Sequence, residues 1–254
     1  LVVTPPGRPG VVARALSIGT LVERVLAEIT APLGRPVRAA EPLTLLLYET
    51  REEYLAHSRA SGENPEQALG WTSGHYSLAE DLSRMYVPED DAGARRLIGV
   101  YAHELTHHWL ARRAPFAAHT RRAEGERGYW LVEGFATFVE ELALDPANDA
   151  WSAANPRAWS QDLVASADAA DLLGWDAVFD ASHEDFARLS TEPSRSITLA
   201  WRLGALARES EARVFYAQAA ATCHWLYASD SGARRGVLLD LLRCAYTGTA
   251  DVAL

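Results

Sequence analysis

A chain of 254 residues, 48% of them hydrophobic, is long enough for one large domain or for two lobes sharing a core. Its formal net charge of −10 argues against nucleic acid or an anionic membrane as the main partner. No apolar run reaches the roughly 18 residues of a transmembrane helix. All 24 basic residues are arginine, which reflects a high-GC, bacterial coding bias and says nothing about chemistry. The two cysteines, Cys223 and Cys244, cannot complete a cysteine-rich zinc site. They either pair between neighbouring helices in an oxidising compartment or remain free thiols. No signal-peptide pattern opens the chain, and because it begins at Leu1 that absence carries no weight.

Residues 1–10, rich in Pro and Gly, read as a flexible lead-in. Ile18, Val22, Val25 and Ile29 recur with helical spacing between Val11 and Leu33, and Gly34 and Pro36 end that helix. Leu43–Tyr48 is a short apolar run with no length for a helix and is expected as a buried strand. A brief helix follows in "REEYLAHSRA". "GWTSGHYS" and "SRMYVPE" then suggest two strands joined by the acidic turn "LAEDL". A helix is expected from about Ala92 to Arg112, with Asp90 or Asp91 as its cap. After an arginine-rich connection, "YWLVEGFATFVEELALD" gives the next helix, stopped near Pro146. Beyond it there is no strand pattern, and helices are expected near 157–167, 183–189, 194–208, 212–228 and 232–245.

The motif helix carries "HELTHHWLARR" at 103–113. His103 and His107 stand at i and i+4, about 40° apart in azimuth and about 6 Å in height, so both imidazoles can reach one ion. Glu104 can lean over a water held there and act as general base. His108 points about 100° away from His107 and is a poor third ligand. A catalytic zinc takes three protein ligands and keeps one position open. Gly and His three and six residues after the second histidine would complete a metzincin site, but Leu110 and Arg113 stand there. The other common solution is a glutamate on a following helix. Glu133 offers it, flanked by Trp130, Leu131, Phe135 and Phe138. A carboxylate in so apolar a stretch is costly to bury alone, and a cation explains it.

"HELTHHWL" followed by "WLVEGFATF" resembles the paired motifs of the gluzincin metallopeptidases. The pair is similar to the aminopeptidase N-like family and closer to the small bacterial peptidase MA-like families. "LVERVLAEITAPLG", "PLTLLLYETREEYLAHS" and "GHYS" extend the likeness over most of the chain, though only the two zinc motifs are specific. The resemblance implies one zinc per chain on His103, His107 and Glu133, with Glu104 as base. It also implies a tyrosine opening a helix as oxyanion donor, a role that "FYAQAAATCHWL" matches loosely with Tyr216, the alternative being simple packing. His224, two turns along the same face, is a second candidate. The gap of 25 residues between His107 and Glu133 is longer than in aminopeptidase N. No segment of the Gly-Ala-Met-Glu-Asn type is present either, so exopeptidase activity is not implied.

Around this set, Thr137 and Glu140 either orient a ligand or lie on a helix surface. "GHYSLAEDLSRMYV" either supplies an edge strand for an extended peptide or is an ordinary hairpin. Arg112, Arg113, Arg121, Arg122 and Arg127 form a loose basic cluster interrupted by Glu124 and Glu126, and His119 reads as a surface histidine.

The expected fold is α+β: a small twisted-sheet lobe over 11–112, ending in the motif helix, and an all-helical lobe over 113–254 carrying Glu133. The architecture is gluzincin-like, with the site in the cleft between the lobes. The expected function is zinc-dependent hydrolysis of a peptide or protein substrate, without nucleic acid or a membrane span. The rival is a zinc-fold binding domain with vestigial or no hydrolytic activity, and a zinc hydrolase acting on a non-peptide amide is a third reading. An exported or cell-envelope location in a bacterium is favoured over the cytoplasm.

Overall fold

The computed structural model describes residues 2–3, 9–37, 41–61, 73–86, 91–117, 128–155, 158–189 and 211–248. They form an α+β fold, mostly helical, with a small mixed sheet. The chain divides into two units, Leu1–Thr120 with Leu142–Ala154 and Arg121–Glu141 with Asn155–Leu254. A single boundary after residue 112 was expected. The structure differs because the segment after the Glu133 helix returns to the first unit as a hairpin.

In the first unit, β1 (Val2–Val3), β2 (Thr44–Tyr48), β3 (Gly74–Ser77) and β4 (Leu82–Tyr86) make a sheet in the order β1-β2-β4-β3. β1, β2 and β4 run parallel, and β3 is the antiparallel edge. The expected lead-in thus contains a strand, since the β-branched pair Val2–Val3 takes the free edge of β2 opposite Leu45 and Leu46. Helix α1 (Pro9–Thr30) buries Ile18, Leu21, Val22, Val25, Leu26 and Ile29 on one stripe and packs against α3 (Asp91–Arg112). Asp91 is already the first residue of α3, and Asp90 lies outside the described residues.

Alternation along the strands separates the two sheet faces. Tyr76 and Ser83 are register partners, and both meet His108 of α3. His75 and Arg84 are the next pair, on the opposite face, where α2 (Arg51–Ser61) lies and the Tyr54 hydroxyl contacts His75 Nδ1 at 3.0 Å. Tyr48, Tyr54 and Tyr86 cluster on that same face.

The helix predicted to reach Pro146 ends earlier, as α4 (Tyr129–Glu140). β5 (Ala143–Asp145) and β6 (Ala150–Ser152) follow as a hairpin where no strand was expected. Its turn is built by Asp145, whose carboxylate accepts from the Ala147 and Asn148 amides, and by Asp149 at φ 49°. The hairpin is fastened to α1: Arg24 donates to Asp149, and the Trp151 indole donates to Glu28 at 2.8 Å.

The described part of the second unit is helical, with α4 at its centre and nine of its twelve residues buried. Against it lies α8 (Glu211–Ala228), and α9 (Arg235–Thr247) packs on both. α5 (Trp159–Ser166) lies on α8, and the short α6 (Trp175–Phe179) and α7 (His183–Leu189) complete the set. α6 was not expected; Gln218 of α8 holds the turn before it by bonding both the N–H and the C=O of Leu173. The helix expected at 194–208 lies outside the described residues. Both cysteines are free; Cys223 is fully buried, which raises its thiol pKa, and Cys244 is half-buried.

Helices α4 and α8 meet backbone to backbone. A Cβ on Gly134 would stand 2.7 Å from the Ala219 carbonyl carbon and 2.8 Å from its Cβ and O. Gly134→Ala therefore forces the two helices apart and should cost about 1–3 kcal/mol, net of the helix propensity gained. Gly236, a helical glycine with nothing within 4 Å of its Cβ position, provides the opposite case. Gly236→Ala should gain up to about 1 kcal/mol. Urea unfolding of the two variants beside wild type checks the sign difference.

Candidate functional site

Helix α3 has opposed duties on its faces. His108 is 1% exposed and committed to the sheet: its ring stacks on Tyr76, its Nδ1 meets Ser83 Oγ at 3.3 Å and its Nε2 meets Asp81 Oδ1 at 3.3 Å. Burial pushes its pKa down to about 4, so at neutral pH the ring carries one proton. Nε2–H then donates to Asp81, and Nδ1 accepts from the Ser83 hydroxyl. Asp81, at φ 55° in the β3–β4 turn, also accepts from Arg112 Nε at 2.5 Å and from the Tyr76 hydroxyl. Three donors on one carboxylate lock α3 to the sheet. His108, a poor third ligand on helical geometry, is engaged with the sheet. Arg112, and Arg113 with its bond to the Glu41 carbonyl, are engaged within this unit. Arg121, Arg122, Arg127, Glu124, Glu126 and His119 lie outside the described residues.

With His108 turned to the sheet, His103 and His107 share another side of α3. Their rings lie edge to face with centroids 4.9 Å apart. His103 is 9% exposed, Glu104 is 8% exposed and His107 is half-buried. Two imidazoles so close, next to a nearly buried carboxylate, offer a cation two nitrogen ligands and a proton acceptor. Glu104 packs on the edge strand: a Cβ on Gly74 would lie 3.2 Å from Glu104 Cγ, 3.1 Å from Val100 Cγ1 and 3.0 Å from the Arg84 carbonyl. The absence of a side chain at 74 lets the strand approach the glutamate.

In the second unit, Glu133 is 8% exposed on α4, while Trp130, Leu131, Phe135 and Phe138 are fully buried. Thr137, one turn on, has its hydroxyl buried without a hydrogen-bond partner among the described residues; Glu140 is half-buried. Tyr216 was expected to open a helix, but α8 begins at Glu211 and Tyr216 falls in its second turn, half-buried, with Phe186 edge-on at 5.2 Å. His224 is committed elsewhere. Its Nε2 meets Glu141 Oε2 at 3.1 Å, and its ring stands edge-on to Phe138 at 4.7 Å.

Glu141 is what the sequence reading missed, having singled out Glu140. It is 4% exposed and accepts from the Ser160 amide at 2.6 Å and the Ser160 hydroxyl at 2.5 Å, besides meeting His224. Its carboxylate caps the first turn of α5, and its own carbonyl accepts from Asn155 Nδ2. The ending of an apolar helix in two acids was visible; which acid turned inward was not.

No family model matches the chain, and no curated protein matches it.

The Gly74 contact gives a direct test. Gly74→Ala should destabilise the first unit by about 1–2 kcal/mol, because strand, Val100 and Glu104 must all yield. Hydrogen exchange of the β3 and β4 amides, compared between wild type and variant, checks where the loosening falls.

Proposed function

We propose that this chain is a gluzincin-type zinc peptidase, with one zinc ion on His103, His107 and Glu133, Glu104 as general base and Tyr216 as oxyanion donor. One observation carries the reading: among the described residues, His103, His107 and Glu133 are the group of His, Cys, Asp and Glu side chains that could hold a metal ion. The donor chemistry fits, since two imidazoles and a carboxylate are a ligand set of catalytic zinc with a position left open. When bound, zinc supplies Lewis acidity toward a peptide carbonyl.

The remaining work belongs to the chain's own residues. Glu104 takes a proton from the attacking water and delivers it to the departing amine. Its near burial keeps bulk water away from that exchange. Tyr216 donates its O–H to the tetrahedral oxyanion. The substrate is a peptide or protein segment extended along β3, the edge strand of the sheet among the described residues. Among the described residues no helix is long and apolar enough to cross a membrane.

Elemental analysis should find about one zinc per chain in wild type and little in Glu133→Ala, which removes one ligand of three. Full zinc in that variant would give the third position to another residue. Quenched peptide libraries, run with and without chelator, test the activity. Glu104→Gln keeps the shape of the side chain but not its basicity. Zinc content and melting temperature should stay near wild type while cleavage falls at least 10²-fold. Turnover surviving within a few fold would sink the mechanism.

A further inference from the structure

The sheet face away from α3 holds a second polar arrangement, separate from the histidine motif. His75 on β3 and Arg84 on β4 are directly opposed in register, so their side chains leave the sheet side by side. Both are more than nine-tenths buried, His75 at 8% and Arg84 at 7% exposure. Arg84 Nη2 pairs with Glu80 in the β3–β4 turn. Its Nε and Nη1, and His75 Nε2, are buried with no hydrogen-bond partner among the described residues.

These open groups share one chemical character. Guanidinium nitrogens can only donate. His75 Nδ1 is in contact with the Tyr54 hydroxyl at 3.0 Å. When that hydroxyl donates, the ring proton sits on Nε2, and the open atom is a donor as well. Burial and the neighbouring Arg84 charge push the His75 pKa down to about 4, with Glu80 acting weakly the other way, so the ring is neutral near pH 7. Among the described residues the open groups on this face are donors. A buried donor left unbonded has lost its water without replacement, and a charged one loses more. An acceptor that brings negative charge removes that loss on both strands at once.

We infer that Arg84 and His75 form a binding site for an oxyanion, a phosphate or carboxylate group, on the α2 face of the sheet. Arg84 supplies the charge and the Nε and Nη1 donors, His75 supplies Nε2–H, and Tyr54 holds the His75 tautomer through Nδ1. The site is independent of the peptidase reading, since it lies on the sheet face opposite the one that meets α3 and needs no metal. The chain's net charge of −10 disfavours general anion uptake, so saturable binding would report a specific site.

The test titrates the full chain with inorganic phosphate and, separately, with acetate. Ionic strength is held with sodium chloride, and each titration is run before and after metal is stripped by dialysis. Calorimetry should show saturable binding of one anion per chain that survives stripping, and the tighter of the two probes identifies the group. His75→Gln and Arg84→Met should each weaken it at least tenfold, with Arg24→Met, in an exposed ion pair, as the unchanged control. Should Arg84→Met not fold, His75→Gln carries the comparison. Absence of saturable binding of either probe to wild type overturns the inference, as does binding lost on stripping or undiminished in His75→Gln.

Discussion

One turn of 100° per residue governs helix α3. It sends His107 and His108, adjacent in sequence, to different environments. His108 is held by Asp81, Ser83 and the Tyr76 ring, and that commitment fixes how α3 is rotated about its axis. Once the rotation is fixed, the direction in which His103 and His107 point is no longer adjustable. Glu104 is fixed with them, wedged beside a strand position that has no side chain. The third histidine of the motif, held by the sheet, sets the direction of the other two.

The second unit solves the same problem with different means. Helix α4 is mostly buried, with nine of its twelve residues away from solvent. Its position is set by steric contact at Gly134 and Ala219 and by Glu141 at its end, which reaches α5 through Ser160 and α8 through His224. A buried carboxylate with three contacts is well satisfied and locates a helix end in a way that apolar packing alone does not. Glu133, eight positions earlier, sits on a helix held both at mid-length and at its terminus.

Where the sequence was legible, the signal was local and periodic. The apolar stripe of α1, the strand at 44–48 and the motif helix appear close to expectation, and the two strands flanking "LAEDL" appear as the shorter Gly74–Ser77 and Leu82–Tyr86. The i, i+4 histidine pair needed only helical geometry. What escaped depended on partners distant in sequence. Val2–Val3 become a strand because β2 offers them an edge. "ELALD" leaves the helix because Glu141 finds Ser160, nineteen residues on, and because Asp145 nucleates a turn that returns β6 alongside β5. Helix propensity at 141–145 was adequate and tertiary bonding overrode it. The His75–Arg84 pair was equally hidden, since nothing in "GHYS" or "SRMY" announces that they stand opposite each other across a ladder.

The route of the chain between its two units has a consequence for biogenesis. It enters the second unit at Arg121, leaves after Glu141 to form the hairpin on α1, and returns at Asn155. Neither unit is therefore a contiguous piece of gene. On a ribosome, the first unit cannot be completed until residue 154 has emerged, by which time α4 is already exposed without α8 or α9 to cover its aromatic face. Any truncation that tries to isolate one unit by a single cut leaves behind either an uncovered apolar helix or an α1 without its hairpin. The two units are thus bound to a common fate in synthesis, proteolysis and engineering, through the thread of the polypeptide itself.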